Sequence, residues 1–330
     1  MFRGQRRGTS SRGRWGTQSL SWATVGFLCA GALVLSGATP AAAKKTPHRA
    51  GPERAFTIPV EKSGVHAVCQ PRQNKSCPTT NTTWAGYVVS PESGHQMTTV
   101  SASWVQKPVT CPKPDAWVLF WAGIDGWSQI GNATVEQGGS SAQCNPGQPV
   151  DYEAWWEMYP TNDVQTVFPI AVGDHISASV VFSSTDDTYT VSVADATNGH
   201  SFIVVASVPD NSYTIARNGG QPGQPISFAS GQAGSVVCGP GSPCLNSSAE
   251  WIVEAPGGDG AGLYPLAHFK PTVFSSAFAA DSVGDKGSIT TNGWLSTALD
   301  LTTGSGTQEA TVTPLSNQGH SFRVVWSRGQ

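Results

Sequence analysis

The sequence predicts an all-β protein, a sandwich or a barrel of short strands. Three observations predict it. Short runs rich in Val, Ile, Thr, Phe and Trp recur from about Thr83 onward, separated by clusters of Gly, Pro, Asn and Ser. No segment keeps a helical period with capping residues at its ends. Glycine, at 37 residues, and proline, at 23, supply the turns that many short strands require.

Taken in order, the first 43 residues are expected to be a secretory signal peptide. Arg3, Arg6, Arg7, Arg12 and Arg14 precede an apolar run from about Ala23 to Leu35, and small residues follow, ending in Ala41-Ala42-Ala43. The apolar run is too short for an anchor, so the product is expected to be secreted and free of the membrane. Residues 44–80 are rich in Pro, Lys, Arg and Gln and read as a propeptide or an extended N-terminal arm. Residues 81–330 form the expected domain. Its predicted strands are Trp84–Ser90, Thr98–Gln106, Ala116–Gly123, Tyr152–Tyr159, His175–Ser183, Thr188–Ala194, Ser201–Val208, Ala249–Glu254, Thr272–Phe278 and Ser321–Trp326.

Cys29 lies in the leader, which leaves Cys69, Cys77, Cys111, Cys144, Cys238 and Cys244. An even number in an exported chain favours disulfides. Short separations suggest Cys69–Cys77 and Cys238–Cys244, leaving Cys111–Cys144. No second ligand pair accompanies His66 and Cys69, so neither a metal nor any other cofactor is expected. Only 12% of residues are charged, about half the usual share. A chain with few paired carboxylates has little stabilisation to lose in acid. With 19 basic against 22 acidic residues, nucleic acid is not an expected partner.

The signatures of the common secreted hydrolases are absent. Gly126-Trp127-Ser128-Gln129-Ile130 fails as a nucleophile elbow at its last position. No H-E-x-x-H occurs, and there is no Asp-Thr-Gly or Asp-Ser-Gly. Carboxylates and amides set among tryptophans remain. If Ala249–Glu254 is a strand, Glu250, Ile252 and Glu254 share one face, and Trp251 and Val253 the other. Glu153, Trp155 and Glu157 likewise share a face. Acids interleaved with tryptophan are costly on a sheet unless that face lines a wet groove, as in a polymer-binding cleft. Each glutamate taken alone is more ordinarily a solvated sheet residue.

Five ordered motifs resemble those of the glutamic peptidases (family G1, the eqolisins). They are Asn81-Thr82-Thr83-Trp84-Ala85-Gly86-Tyr87, Trp121-Ala122-Gly123-Ile124-Asp125-Gly126, Thr134-Val135-Glu136-Gln137, Tyr152 to Pro160, and Ala249-Glu250-Trp251-Ile252-Val253-Glu254. The resemblance runs from about Thr83 to Trp326. It implies an antiparallel β-sandwich of the concanavalin A-like or jelly-roll type with a concave, Trp-lined cleft, and an acid endopeptidase acting as a monomer on unfolded or extended protein, with no covalent intermediate. It places the catalytic roles on Gln137 and Glu254, a choice between Glu250 and Glu254 that spacing alone leaves open. It assigns Trp84, Trp121, Asp125 and Glu157 to support and substrate contact. A glutamate base remains partly ionised at pH 3–4, given a reference pKa of about 4.3. The chain departs from the family in a longer loop after Gly126 and in Gly138-Gly139, where Thr-Gly is usual. Two alternatives share the fold: a glycoside hydrolase using Glu157 and Glu254, and a non-catalytic carbohydrate-binding module.

Overall fold

The computed structural model describes residues 77–127, 134–160, 162–219, 227–231, 238, 244–258 and 262–327. The expected signal peptide, almost all of the expected propeptide and Cys69 lie outside them. The described residues form two large packed sheets and two short two-stranded ones, antiparallel apart from one parallel strand pair and one parallel bridge. Their one helical element is a short 3-10 turn at Asn317–Gly319.

The first sheet runs, in spatial order, Cys77–Asn81, Leu295–Thr302, Trp84–Ser90, Ala249–Glu254, Trp117–Ile124, Val135–Gln143, Asp151–Tyr159 and Asn162–Pro169. The second runs Ser227–Gly231, Ser212–Gly219, His200–Ser207, Thr188–Asp195, His175–Ser183, Met97–Val105 and Thr272–Asp281. The last of these strands belongs to both sheets: Thr272–Phe274 pairs with Phe322–Trp326 in the first, and Ser275–Asp281 pairs with Met97–Val105 in the second. The parallel pair is Cys77–Asn81 beside Leu295–Thr302, so the first sheet already includes residue 77, before the boundary expected at 81.

Alternation divides the tryptophans. Trp104, Trp156 and Trp251 enter the core between the sheets with Tyr87, Phe120, Tyr189, Phe202 and Phe274. Trp84, Trp117, Trp121 and Trp155 stand on the opposite face of the first sheet with Val88, Leu119, Ile252 and Leu299. The sequence-predicted strands all exist. The sequence pattern missed Val135–Gln143, Asn162–Pro169, Ser212–Gly219, Leu295–Thr302 and Gln308–Val312. Val135–Gln143 is hard to read because Gly138-Gly139-Ser140-Ser141 lacks the residues that favour strands. Its glycines have packing reasons. A Cβ on Gly139 would lie 1.9 Å from the Phe120 carbonyl oxygen, and one on Gly138 would lie 2.7 Å from Val191 Cγ1.

Cys238–Cys244, expected from its short spacing, and Cys111–Cys144, the pair left by elimination, are disulfides.

Candidate functional site

Residues directly opposite one another in a sheet point to the same face. The register therefore defines three rows across the five central strands of the first sheet. The first row is Val88, Glu250, Gly123, Gln137 and Glu157; the second is Gly86, Ile252, Trp121, Gly139 and Trp155; the third is Trp84, Glu254, Leu119, Ser141 and Glu153. Gln137 and Glu254 thus share a face, two rows apart, on strands separated by one strand.

Trp121 occupies the middle row and touches both neighbourhoods. Its indole Nε1 donates to Glu254 Oε2 at 2.7 Å. The far edge of its ring lies over Gly123, where a Cβ would be 2.9 Å from Trp121 Cζ3 and 3.0 Å from Gln137 Cβ. A side chain at 123 would push the indole and the glutamine stem apart. Trp84 packs edge-on against Trp121, with ring centroids 5.2 Å apart. Trp84 is itself set by the buried Asn81, whose Oδ1 accepts from the backbone N–H groups of Thr83 and Trp84, both at 2.8 Å.

Gln137 is anchored on its other side: Nε2 donates to Glu157 Oε2 at 2.7 Å. The Oε1 atoms of Gln137 and Glu254 are both buried without a protein partner. Buried polar atoms are ordinarily paired, so each residue is held at one atom and presents another for use.

The sequence argument expects this face to line a wet groove. The structure instead has it closed: Trp127, Tyr159, Val164 and Tyr264 pack against the apolar residues of the three rows, and Gln137, Glu157 and Glu254 are fully buried. The electrostatics follow. Burial pushes the Glu254 carboxyl up to about 8, opposed by the indoles of Trp121 and Trp84. In this closed state Glu254 carries a proton at pH 3–4, contrary to the expectation of a partly ionised base, because the charged form has lost its water.

Asp125 is not a cleft residue. Its backbone has a φ of 67°, a conformation Asp tolerates better than most residues. Its carboxylate accepts from the backbone N–H groups of Leu245, Asn246 and Ser247 at 2.8, 2.6 and 2.6 Å, and from the Ser247 hydroxyl at 2.9 Å. Beside it, Tyr189 of the opposite sheet donates to Asn246 Oδ1. Asp125 therefore anchors the turn that leads into Ala249–Glu254. Burial raises it to about 6, with these four donors opposing the rise. Glu136 lies beside it and is raised by burial and by the charge of Asp125.

Glu136 also approaches Cys238 and Cys244, a grouping with metal-ligand spacing. Those sulfurs are tied in a disulfide and are not thiolates. The grouping therefore lacks the donors of a metal centre.

Of the sequence-predicted site residues, Gln137, Glu254, Trp84, Trp121 and Glu157 converge on one face, and Asp125 does not join them. Three contributors were missed. Trp155 shared its predicted face with Glu153 and Glu157 and was legible from alternation. Gly123 and Asn81 lay inside quoted motifs, but their roles depend on a contact across strands and on a turn geometry.

Residues 82–219 match the model of the Peptidase A4 family. Solved structures with this fold include scytalido-glutamic peptidase with a transition state analog inhibitor (18% identity, TM-score 0.53) and the same enzyme with a peptide-based transition state analog (20%, 0.51). Another is SCP-B, an eqolisin-family peptidase in complex with the tripeptide Ala-Ile-His (17%, 0.51). Each comparison covers 76% of this chain and 100% of the other. No curated protein matches the chain.

Proposed function

From the match of residues 82–219 to the Peptidase A4 family, we propose that this chain is a glutamic peptidase, a secreted, acid-active endopeptidase in which Gln137 and Glu254 activate one water molecule. The observation that carries the reading is the arrangement of these two residues. They stand on one sheet face, each fixed at one atom by Glu157 or Trp121, and each presents an unpartnered Oε1. The leader-like order of residues 1–43 supports export.

An extended peptide entering this face displaces the aromatic cover and admits water. Rehydration reverses the burial that holds the proton on Glu254, and the Trp121 indole then favours the carboxylate. Glu254 takes a proton from the attacking water, a contribution of about 10²–10⁴-fold for general base catalysis. One amide hydrogen of Gln137 is committed to Glu157; the other donates to the developing oxyanion, a contribution of roughly 10²–10³. The amide does not titrate and so serves at any pH.

The test is incubation of the exported protein with unfolded casein across pH 2–7, beside Glu254→Gln and Gln137→Ala. Cleavage in acid by the wild type alone supports the reading. Full activity in either variant overturns the assignment.

A further inference from the structure

We propose that Trp155 is a substrate-binding residue of this site, its indole N–H donating to a main-chain carbonyl of the bound peptide beside the bond being cut. The proposal rests on the peptidase reading above and adds a contact to it.

Three observations carry it. The first is an unspent donor. Trp155 is fully buried among the residues of the face that carries Gln137 and Glu254, and its Nε1 has no hydrogen-bond partner in the protein. Buried donors are ordinarily paired, and an unpaired one lowers stability. Trp121, in the same row, gives its N–H to Glu254. Trp155 has the same group and nothing to give it to.

The second observation is reach. Gln137 pairs with Glu157 and Gly139 with Trp155, so Trp155 and Gln137 are diagonal neighbours on adjacent strands. Such neighbours lie about 7–8 Å apart at the backbone, within range of long and aromatic side chains. The residue between Trp155 and Trp121 is Gly139, so no side chain rises from the intervening strand to cover the Trp155 ring from that side. A peptide whose scissile carbonyl meets Gln137 carries further carbonyls at about 3.4 Å per residue. One of them, one or two residues along, comes within reach of the indole.

The third observation is charge. Glu153 and Glu157 flank Trp155 on its own strand and share its face. An anionic acceptor would enter between two acids, whereas a carbonyl oxygen brings no charge. Of neutral acceptors, the main-chain carbonyl is the one that every extended peptide supplies, whatever its side chains.

A thioamide scan tests this. The substrate is a peptide copied from a casein bond that the enzyme cuts. Carbonyl oxygens within two residues of that bond, other than the scissile one, are replaced one at a time by sulfur, a weaker acceptor. With the wild type, one position is expected to lose about tenfold in kcat/KM beyond the others. Trp155→Phe keeps an aromatic ring without the N–H. It is expected to lose about tenfold on the parent peptide and to show no extra loss at that position. Such coupling belongs to two groups in contact, whereas a merely structural defect lowers all the peptides alike. A scan with the same pattern in both enzymes, or undiminished cleavage by Trp155→Phe, overturns the proposal and leaves the peptidase reading standing. Failure of the wild type to cut casein overturns that reading and this one with it. If Trp155→Phe does not fold, 3-benzothienylalanine at position 155 replaces the N–H with sulfur in a ring of nearly the same shape, and the same loss of coupling is required of it.

Discussion

The Nε1 of Trp121 lies 2.7 Å from Oε2 of Glu254, and the opposite edge of the same indole lies over Gly123, where the Gln137 stem also comes close. One rigid ring thereby connects the surroundings of the two residues on which the chemistry depends.

Trp121→Phe removes the donor and keeps most of the apolar ring. A hydrogen bond to a charged group contributes about 1.5–3 kcal/mol, so kcat/KM is expected to fall roughly 10–100-fold. The carboxylate also loses a stabilising donor, so the acidic limb of the pH–rate profile moves to higher pH. Unchanged rate and profile would show that the bond plays no part in turnover.

Glu157→Leu frees the Gln137 amide to rotate. The expected result is a kcat about 10–100-fold lower with little change in KM, since orientation of the oxyanion donor is lost rather than substrate contact. Glu157→Gln keeps an oxygen that accepts from Nε2 and should recover part of the loss. Equal defects in both variants would argue against orientation as the cause.

Stability should fall as pH rises. Asp125 is raised to about 6 and Glu254 to about 8, and Glu136 and Glu250 are also raised, all chiefly by burial. A carboxyl with a folded pKa above its unfolded value binds more protons when folded. Its contribution is complete below the unfolded value, near 4, and is lost as pH rises toward the folded one. Between about pH 4 and 8 the folded protein is therefore progressively destabilised, by on the order of 3 kcal/mol through Asp125 alone. Urea unfolding at pH 4, 6 and 8 measures the slope. Glu254→Gln should flatten it by up to about 1.4 kcal/mol per pH unit, and a slope of opposite sign would contradict the buried, protonated state.

Asp125→Ala leaves the N–H groups of Leu245, Asn246 and Ser247 without their acceptor. A loss of about 2–4 kcal/mol is expected in urea unfolding, together with reduced kcat, because the turn they form leads into the strand carrying Glu250 and Glu254. Wild-type stability in this variant would remove Asp125 from its anchoring role.

Much of the fold was legible before any coordinates. Ala249–Glu254 alternates so plainly that its two faces, Glu250 with Glu254 and Trp251 with Val253, follow from periodicity. Trp84–Ser90 and His175–Ser183 were bounded to the residue by their turn signals. Val135–Gln143 was not, because its run of Gly and Ser is chosen for close approach to Phe120 and Val191 rather than for strand propensity.

The sequence by itself determined the class of fold, the set of acids and amides that share a sheet face, and the tryptophans among them. Those properties are local, resting on a two-residue period and on motif identity. Only the tertiary structure decided which of them work together. Strand register lies outside any one segment, and it placed Gln137 level with Glu250, laid Trp121 between Gln137 and Glu254, and turned Asp125 away to hold a turn. Burial is likewise a property of the assembled sheets, and it closed the face and put protons on carboxyls that an exposed chain would ionise.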